Sequence, residues 1–343
     1  MRQLRRIALP LALCTITAAT ALPTLAQDKK VELRISTWMP PSQPVVPVLQ
    51  VWLDDITKQS GGTITGKIFP AEQLGKAMDH YDMARDGIAD VALPVTGYQP
   101  GRFPIMEATS LPLLFSNGKA GSAALDAWYR PYAKSEMKDV HYCTTFTSEP
   151  ATYHSRKKIQ LPEDIRGLKI RQANSVIGQM NVLLGATNVQ ASAPETRDML
   201  ERGVADAITF PWGSLFLFGI DKAVKYHLDV PLYTASVSVV MNKSKYESLS
   251  PAQRKVIDDH CTPGWAEKLA SPWADFESDG RKKLAAMPEH ELVKLTPEQL
   301  VQWRKAVADT QAKWAEGVQK TGQNPTAVLN GLKESLKKYN SLL

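Results

Sequence analysis

Arg171 is the residue of this sequence whose type and position best suit a chemical task. It closes Leu168-Lys169-Ile170-Arg171, where apolar and basic side chains alternate as in a strand entering a core. Asn174 or Ser175 can cap the helix that follows. Its apolar positions Ile177, Met180 and Leu184 recur at helical spacing, and Gly185 stops it. Arg171 therefore falls at the carboxyl end of a strand, just before a helix N-terminus. In open α/β sheets ligands bind at that edge. A guanidinium there can grip a carboxylate through two parallel N–H groups, and nearby backbone N–H groups add positive potential. The competing reading is a solvated or salt-bridged surface arginine.

Other candidates lie at strand ends. Tyr98 sits in a Gly- and Pro-rich loop, Val95 to Phe103, after the short apolar run Ile88 to Leu93. Loops in that position tend to carry function, although a tyrosine can simply cover such a loop. Phe210 and Trp212 end the run Val204 to Phe210 and would form an apolar wall beside Arg171 in a parallel sheet; either alone suits a core equally well. No G-x-S-x-G elbow, H-E-x-x-H, C-x-x-C or phosphate-cradling glycine loop occurs. The histidines at 80, 141, 154, 227, 260 and 290 are isolated in sequence, none at metal-ligand spacing. No catalytic residue, metal or cofactor is expected. Triads do assemble from distant segments, so an exported enzyme using the histidines or Asp206 is the second class of reading.

These candidates need elements to hold them. Val31 to Trp38 alternates like a half-buried strand, and Val45, Val48, Leu49, Trp52 and Ile56 mark a helix ending at Gly61-Gly62. Thr63 to Phe69 is a second strand, so the chain opens as a parallel α/β unit. Val140 to Ser148, Ala151 to Ser155, Thr187 to Gln190 and Ser236 to Met241 read as further strands. Ser192-Ala193-Pro194-Glu195 and Thr296-Pro297-Glu298-Gln299 fit capping boxes, and the C-terminal third is helical.

Residues 1–26 read as a signal peptide, with Arg2, Arg5 and Arg6 before an apolar run and a cut near Ala26. No later stretch is apolar enough for a membrane helix, so the mature chain is expected to be soluble and exported. Loss of those arginines lowers the formal charge from +6 to +3, too mild and too scattered for nucleic acid. Cys143 and Cys261 remain; they could pair in an oxidising compartment, and two buried free thiols is the favoured reading.

Glu163-Asp164-Ile165-Arg166-Gly167-Leu168-Lys169-Ile170-Arg171 is similar to the D-x-K-G-L-K-[IL]-R signature of the DctP-type periplasmic solute-binding proteins of TRAP transporters. Supporting pieces are Pro70 to Gly75, Asp86 to Asp90, Leu183 to Thr187 and Gly203 to Ala207, in matching order. The resemblance implies a two-lobed α/β fold, type II-like, with the ligand cleft between the lobes and helices at the C-terminus. Lobe one would be residues 28–149 plus 236–275, and lobe two 150–235 plus 276–343. It implies a monomeric periplasmic receptor that hands an organic acid to a membrane permease. Arg171 falls on the family's carboxylate grip and Asn174 on a second contact position. Members often carry asparagine where Phe210 stands, and sialic-acid binders a second arginine where Ala151 stands. With those grips missing, Trp38, Tyr98, Phe210 and Trp212 offer aromatic surface, which implies a carboxylate with an apolar or aromatic body. The alternatives are an aliphatic dicarboxylate ligand, or a sensory protein on the same fold.

Overall fold

The computed structural model describes residues 28–343, so the signal-peptide reading falls outside the described residues. The chain opens with β1 (Val31–Ser36), α1 (Val45–Gln59), β2 (Ile64–Phe69), α2 (His80–Arg85), β3 (Val91–Ala92), α3 (Gly118–Glu136) and β4 (Val140–Thr147). A second run follows: β5 (Thr152–Ser155), β6 (Lys169–Arg171), α4 (Ser175–Leu183), β7 (Thr187–Val189), α5 (Thr196–Glu201), β8 (Ala207–Phe210), α6 (Ser214–Leu217) and β9 (Tyr226–Leu228). The chain then supplies β10 (Ser236–Asn242), α7 (Lys243–Glu247), α8 (Pro251–Asp259), α9 (Pro263–Ala286), β11 (Glu291–Val293), α10 (Pro297–Gln319) and α11 (Pro325–Lys338).

Two sheets result, one per lobe. The first runs β2-β1-β3-β10-β4, with β1 parallel to both its neighbours and β10 antiparallel to β3 and β4. The second runs β11-β9-β5-β8-β6-β7, with β6 parallel to β7 and β8, and β5 antiparallel to β8 and β9. The chain crosses between them at Glu149-Pro150 and again at Tyr233 to Ala235, where Ala151 and Tyr233 form a bridge. The chain passes between the sheets a third time through α9, which joins β10 of the first to β11 of the second.

Local sequence explains most of these elements. Asn174 caps α4 by accepting the Ile177 N–H at 2.9 Å. Thr296 and Gln299 form the reciprocal box that starts α10, and Ser250 and Gln253 do the same for α8. Glu195 instead reaches back to the Ser192 N–H at 2.8 Å and its hydroxyl at 2.6 Å, and α5 begins one residue later. Gly61 and Gly62 take positive φ after α1, where a side chain would be strained.

Helix α9 ties the lobes together. It packs on α1, α3 and β4 of the first lobe and on α6 and β11 of the second. Pro272 lies within it and removes a helical N–H. The C-terminal segment divides differently from the expectation that 276–343 belongs to lobe two. Helix α10 packs on α4, but α11 packs on α3 of the first lobe. The Trp128 indole donates to the Val328 carbonyl at 3.2 Å and Ser335 to Ala124 at 2.7 Å, so the amphipathic face of α11 is buried there.

Cys143 on β4 and Cys261 before α9 form a disulfide with Cα atoms 4.5 Å apart, which corrects the reading of two free thiols. The 118-residue separation hides the pairing from sequence, because only the packing of α9 on β4 brings them together.

Candidate functional site

Arg171 ends β6 and is 1% exposed. Its Nε donates to the Ala191 carbonyl at 3.0 Å, one terminal nitrogen to the Thr209 carbonyl at 3.1 Å, and the other to the Tyr98 hydroxyl at 3.3 Å. Its carbon lies 5.3 Å from the centre of the Phe210 ring. All three partners are neutral, and among the described residues no carboxylate pairs with it. A guanidinium has five N–H groups. Two are therefore left, one on each terminal nitrogen, without a protein partner among the described residues. A buried cation without a counter-ion is costly to keep, and an anionic guest relieves that cost.

Tyr98 reaches the same point from the first lobe. It lies in the loop after β3, and its oxygen accepts both the Arg171 N–H and the Ala193 N–H at 2.9 Å. Its two lone pairs are thereby occupied, and its own proton is free to donate. Tyr233, on the segment between the sheets, keeps a buried hydroxyl with no partner among the described residues. Burial pushes its pKa up, with the Arg171 charge acting against the shift.

Around these groups lies a cavity of about 40 Å³ between the sheets. The first lobe contributes Trp38, Gln43, Val95, Tyr98 and Val237; the second contributes Arg171, Ala173, Ala193, Phe210, Pro211, Ser214 and Phe218. Tyr233 and Ala235 border it from the crossing segment and Trp273 from α9. Arg171 is the sole charged residue among them. An apolar cavity that takes benzene measures about 150 Å³, so an aromatic guest requires the walls to part. A larger groove of about 710 Å³, bordered by Arg102, Glu107, Glu136, Lys313, Glu316 and Lys320, mixes charges of both signs and lacks such an arrangement.

The six sequence candidates thus separate. Trp38, Tyr98, Arg171 and Phe210 meet at the cavity. Trp212 does not border it. Pro211 ends the ladder after Phe210, so the two-residue period stops and Trp212 turns against His154, His227 and Arg281. Asn174 does not border it either. It packs on Gly97 of the facing lobe so closely that any Cβ on Gly97 would overlap the Asn174 side chain. Beside it, Ser175 donates to Glu107 across the lobes at 2.5 Å. Ala151 is buried in the bridge to Tyr233, away from the cavity.

Two supports were missed from sequence. Glu277 of α9 accepts the Gly213 and Ser214 N–H groups at 2.5 and 3.0 Å and the Trp273 indole N–H at 2.6 Å, and bonds the Ser214 hydroxyl. It fixes the turn after β8, and burial drives its carboxyl up to about 7. Gly213 and Gly280 permit the contact: a Cβ on either would overlap backbone of the other segment. The second support is a chain of histidines. His154 binds the Phe210 carbonyl through Nε2 at 2.9 Å, its Nδ1 meets His227 Nδ1 at 2.7 Å, and His227 Nε2 meets His290 Nδ1 at 3.0 Å. A carbonyl only accepts, so His154 carries its proton on Nε2. His227 must then donate from Nδ1, and His290 from its own Nδ1. Only the two paired strands β5 and β9 and the residue before β11 reveal this cluster; its sequence spacing carries no signal.

Residues 35–317 match the family model described as bacterial extracellular solute-binding protein, family 7 (DctP). The chain is similar to a marine-metagenome TRAP solute-binding protein specific for aromatic acid ligands, solved with co-crystallised 3-hydroxybenzoate. The two are 30% identical, the match covers 91% of this chain and 99% of that one, and the TM-score is 0.84. A TRAP solute-binding protein of Rhodoferax ferrireducens T118, solved with copurified benzoate, is 28% identical, with coverage of 91% and 99% and a TM-score of 0.83. One from Bordetella bronchiseptica, with bound (R)- and (S)-mandelate, is 27% identical, with coverage of 90% and 99% and a TM-score of 0.83.

Proposed function

The chain belongs to the bacterial extracellular solute-binding proteins of family 7, the solute receptors of TRAP transporters, and we propose that its ligand is an aromatic monocarboxylate gripped by Arg171. The carrying observation is that Arg171 is the one charge on a cavity whose other lining residues are uncharged and largely aromatic or apolar, buried with no carboxylate in ion-pair contact. One carboxylate satisfies it. A second carboxylate on the same ligand would enter the cleft with no cation to meet it, which is strongly disfavoured. The ring face of Phe210 beneath the guanidinium suits a flat apolar body. That the similar receptors above bind benzoate, hydroxybenzoate and mandelate supports the same reading.

In this reading the ligand enters between parted lobes. Its carboxylate takes the two free N–H groups of Arg171 and the Tyr98 proton, so both lobes hold one anion and closure is favoured. The two moving bodies are residues 28–149 plus 236–275 and residues 150–235 plus 276–319, with α11 carried by the first. The receptor works as an exported monomer, its leader cut near Ala26, and passes the unchanged acid to its membrane permease without chemistry and without nucleic acid. Calorimetric titration with benzoate, mandelate and succinate tests this. Benzoate and mandelate should bind and succinate should not; tighter binding of succinate would overturn the aromatic reading and leave the dicarboxylate one.

A further inference from the structure

Resting on that reading, we infer that the cavity holds a second polar subsite on the first lobe, in which Trp38 and Gln43 receive a hydrogen-bond acceptor on the ligand ring. The natural ligands are then ring-substituted aromatic acids carrying a hydroxyl or oxo oxygen, rather than the plain acid.

Trp38 and Gln43 both lie between β1 and α1, are 6% and 2% exposed, and border the cavity. The Trp38 indole nitrogen is buried and has no partner among the described residues. An indole N–H only donates. A buried donor left unmade costs as much as a lost hydrogen bond, so such a group in a binding cavity marks a place for an acceptor. Gln43 gives its side-chain oxygen to the Val45 N–H at 2.6 Å, which leaves its amide donors without a protein partner among the described residues. Both residues therefore offer donors, and neither offers a charge.

The segment is also held still. Thr37 accepts the Met39 N–H at 3.2 Å, the Gln43 N–H binds the Pro40 carbonyl at 2.9 Å, and the Met39 carbonyl takes the Ala71 N–H at 2.9 Å. Donors fixed in this way discriminate well, because the site cannot relax around a ligand that lacks the acceptor. The carboxylate is assigned to Arg171 on the second sheet, and these donors stand on the first. A ligand with both groups spans the cleft with a polar contact to each lobe.

The test is a matched set of probes: benzoate, 3-hydroxybenzoate and 4-hydroxybenzoate, titrated by calorimetry into the wild type, Trp38→Phe and Gln43→Glu. Trp38→Phe keeps an aromatic wall and removes the N–H. Gln43→Glu keeps the oxygen that holds Val45 and removes the amide donor. Because its carboxylate can accept a phenol proton and opposes every acid, its ratio is read with 3-methoxybenzoate, whose methoxy oxygen only accepts, against benzoate. At least one hydroxybenzoate should bind the wild type about tenfold more tightly than benzoate, the scale of one buried hydrogen bond. Each variant should lower that ratio towards one. If the wild type binds benzoate and both hydroxybenzoates alike, or if the ratio survives in the variants, the subsite is overturned while the receptor reading stands. If no aromatic acid binds at all, both fall. Should Trp38→Phe fail to fold, Gln43→Glu and the wild-type ratio decide the question.

Discussion

Strand β8 is flanked on either side by a strand that carries a buried polar cluster, and the two clusters are built differently. On β6, Arg171 donates to Ala191, Thr209 and Tyr98 and still has N–H groups left. On β5, His154 begins a chain through His227 to His290 in which every buried ring nitrogen has a partner. Both clusters bind carbonyls of β8, Thr209 in one case and Phe210 in the other. The first contains a charge and unmatched donors, and it borders a cavity. The second is neutral and closed on itself. Unmatched polar atoms thus separate the two clusters, although Arg171, His154 and His227 are all buried, and on our proposal they mark the first as the binding site.

The largest test of that contrast is truncation of each cluster. Arg171→Ala should weaken aromatic acid binding by about 2–5 kcal/mol, roughly 30- to several-thousand-fold, as for other buried charge pairs that lose one partner. Arg171→Lys should recover part of it, since an ammonium cannot present two parallel donors. Because Arg171 also holds two carbonyls, Arg171→Ala should lower the urea midpoint of the ligand-free protein as well. Wild-type affinity in Arg171→Lys would refute the bidentate grip.

His154→Ala should do the reverse. It strands the Phe210 carbonyl and the His227 N–H in the core, at about 1–3 kcal/mol each, and leaves a void as well. Urea unfolding should show that loss, while the ratio of benzoate to mandelate affinity in the protein that remains folded stays as in the wild type. A changed ratio would mean that the histidine chain shapes the cavity and the two clusters are one.

The contrast also explains what could be read from the chain. Arg171 was legible because its place depends on local signals: an alternating strand, the Asn174 cap and a helix of period 3.6. The strand-helix-strand opening and the capping box at Thr296 are local in the same sense. The histidine chain and the Cys143–Cys261 bond join residues more than 60 positions apart, through pairings that no short window encodes. Trp212, expected beside Arg171 as part of an apolar wall, does not border the cavity, because β8 ends at Phe210 and Pro211 turns the chain. The unmatched Trp38 nitrogen is a property of three dimensions alone.

A smaller effect belongs to the boundary of the cleft. Gly97 touches Asn174 across the lobes, and a methyl group there has no room. Gly97→Ala should therefore cost about 1–3 kcal/mol in the closed state, with little change in the ligand-free unfolding midpoint if the lobes can part. Affinity would fall for every acid alike. Small-angle scattering at saturating benzoate should show a larger radius than for the wild type. Equal radii and equal affinity would mean that Gly97 and Asn174 separate easily and do not set closure.

The smallest effect distinguishes the clusters by proton linkage. Burial disfavours the imidazolium of His154, which is held down to about 3, and of His227, held down to about 2, against an ordinary value of 6.5. Below pH 6.5 the unfolded chain takes a proton on each ring and the native chain does not. Stability from these rings therefore falls as pH falls through 6.5, by about 1.4 kcal/mol per pH unit for each ring. Glu136 and Glu277 act in the opposite direction. Burial raises both to about 7 from 4.5, so between those values the native chain holds protons that the unfolded chain lacks. Stability from these carboxyls rises as pH falls through that window, and the wild-type curve sums both sets with the other shifted groups, among them His80, His141, Glu107 and Asp126. His227→Gln removes one ring from it. Between pH 6 and 5 the variant should lose less stability than the wild type, by about 1.4 kcal/mol, in urea unfolding at the two pH values. Parallel curves would mean that His227 charges in the native protein, and that the chain behind β8 is open to protons in the way the Arg171 side is open to an acid.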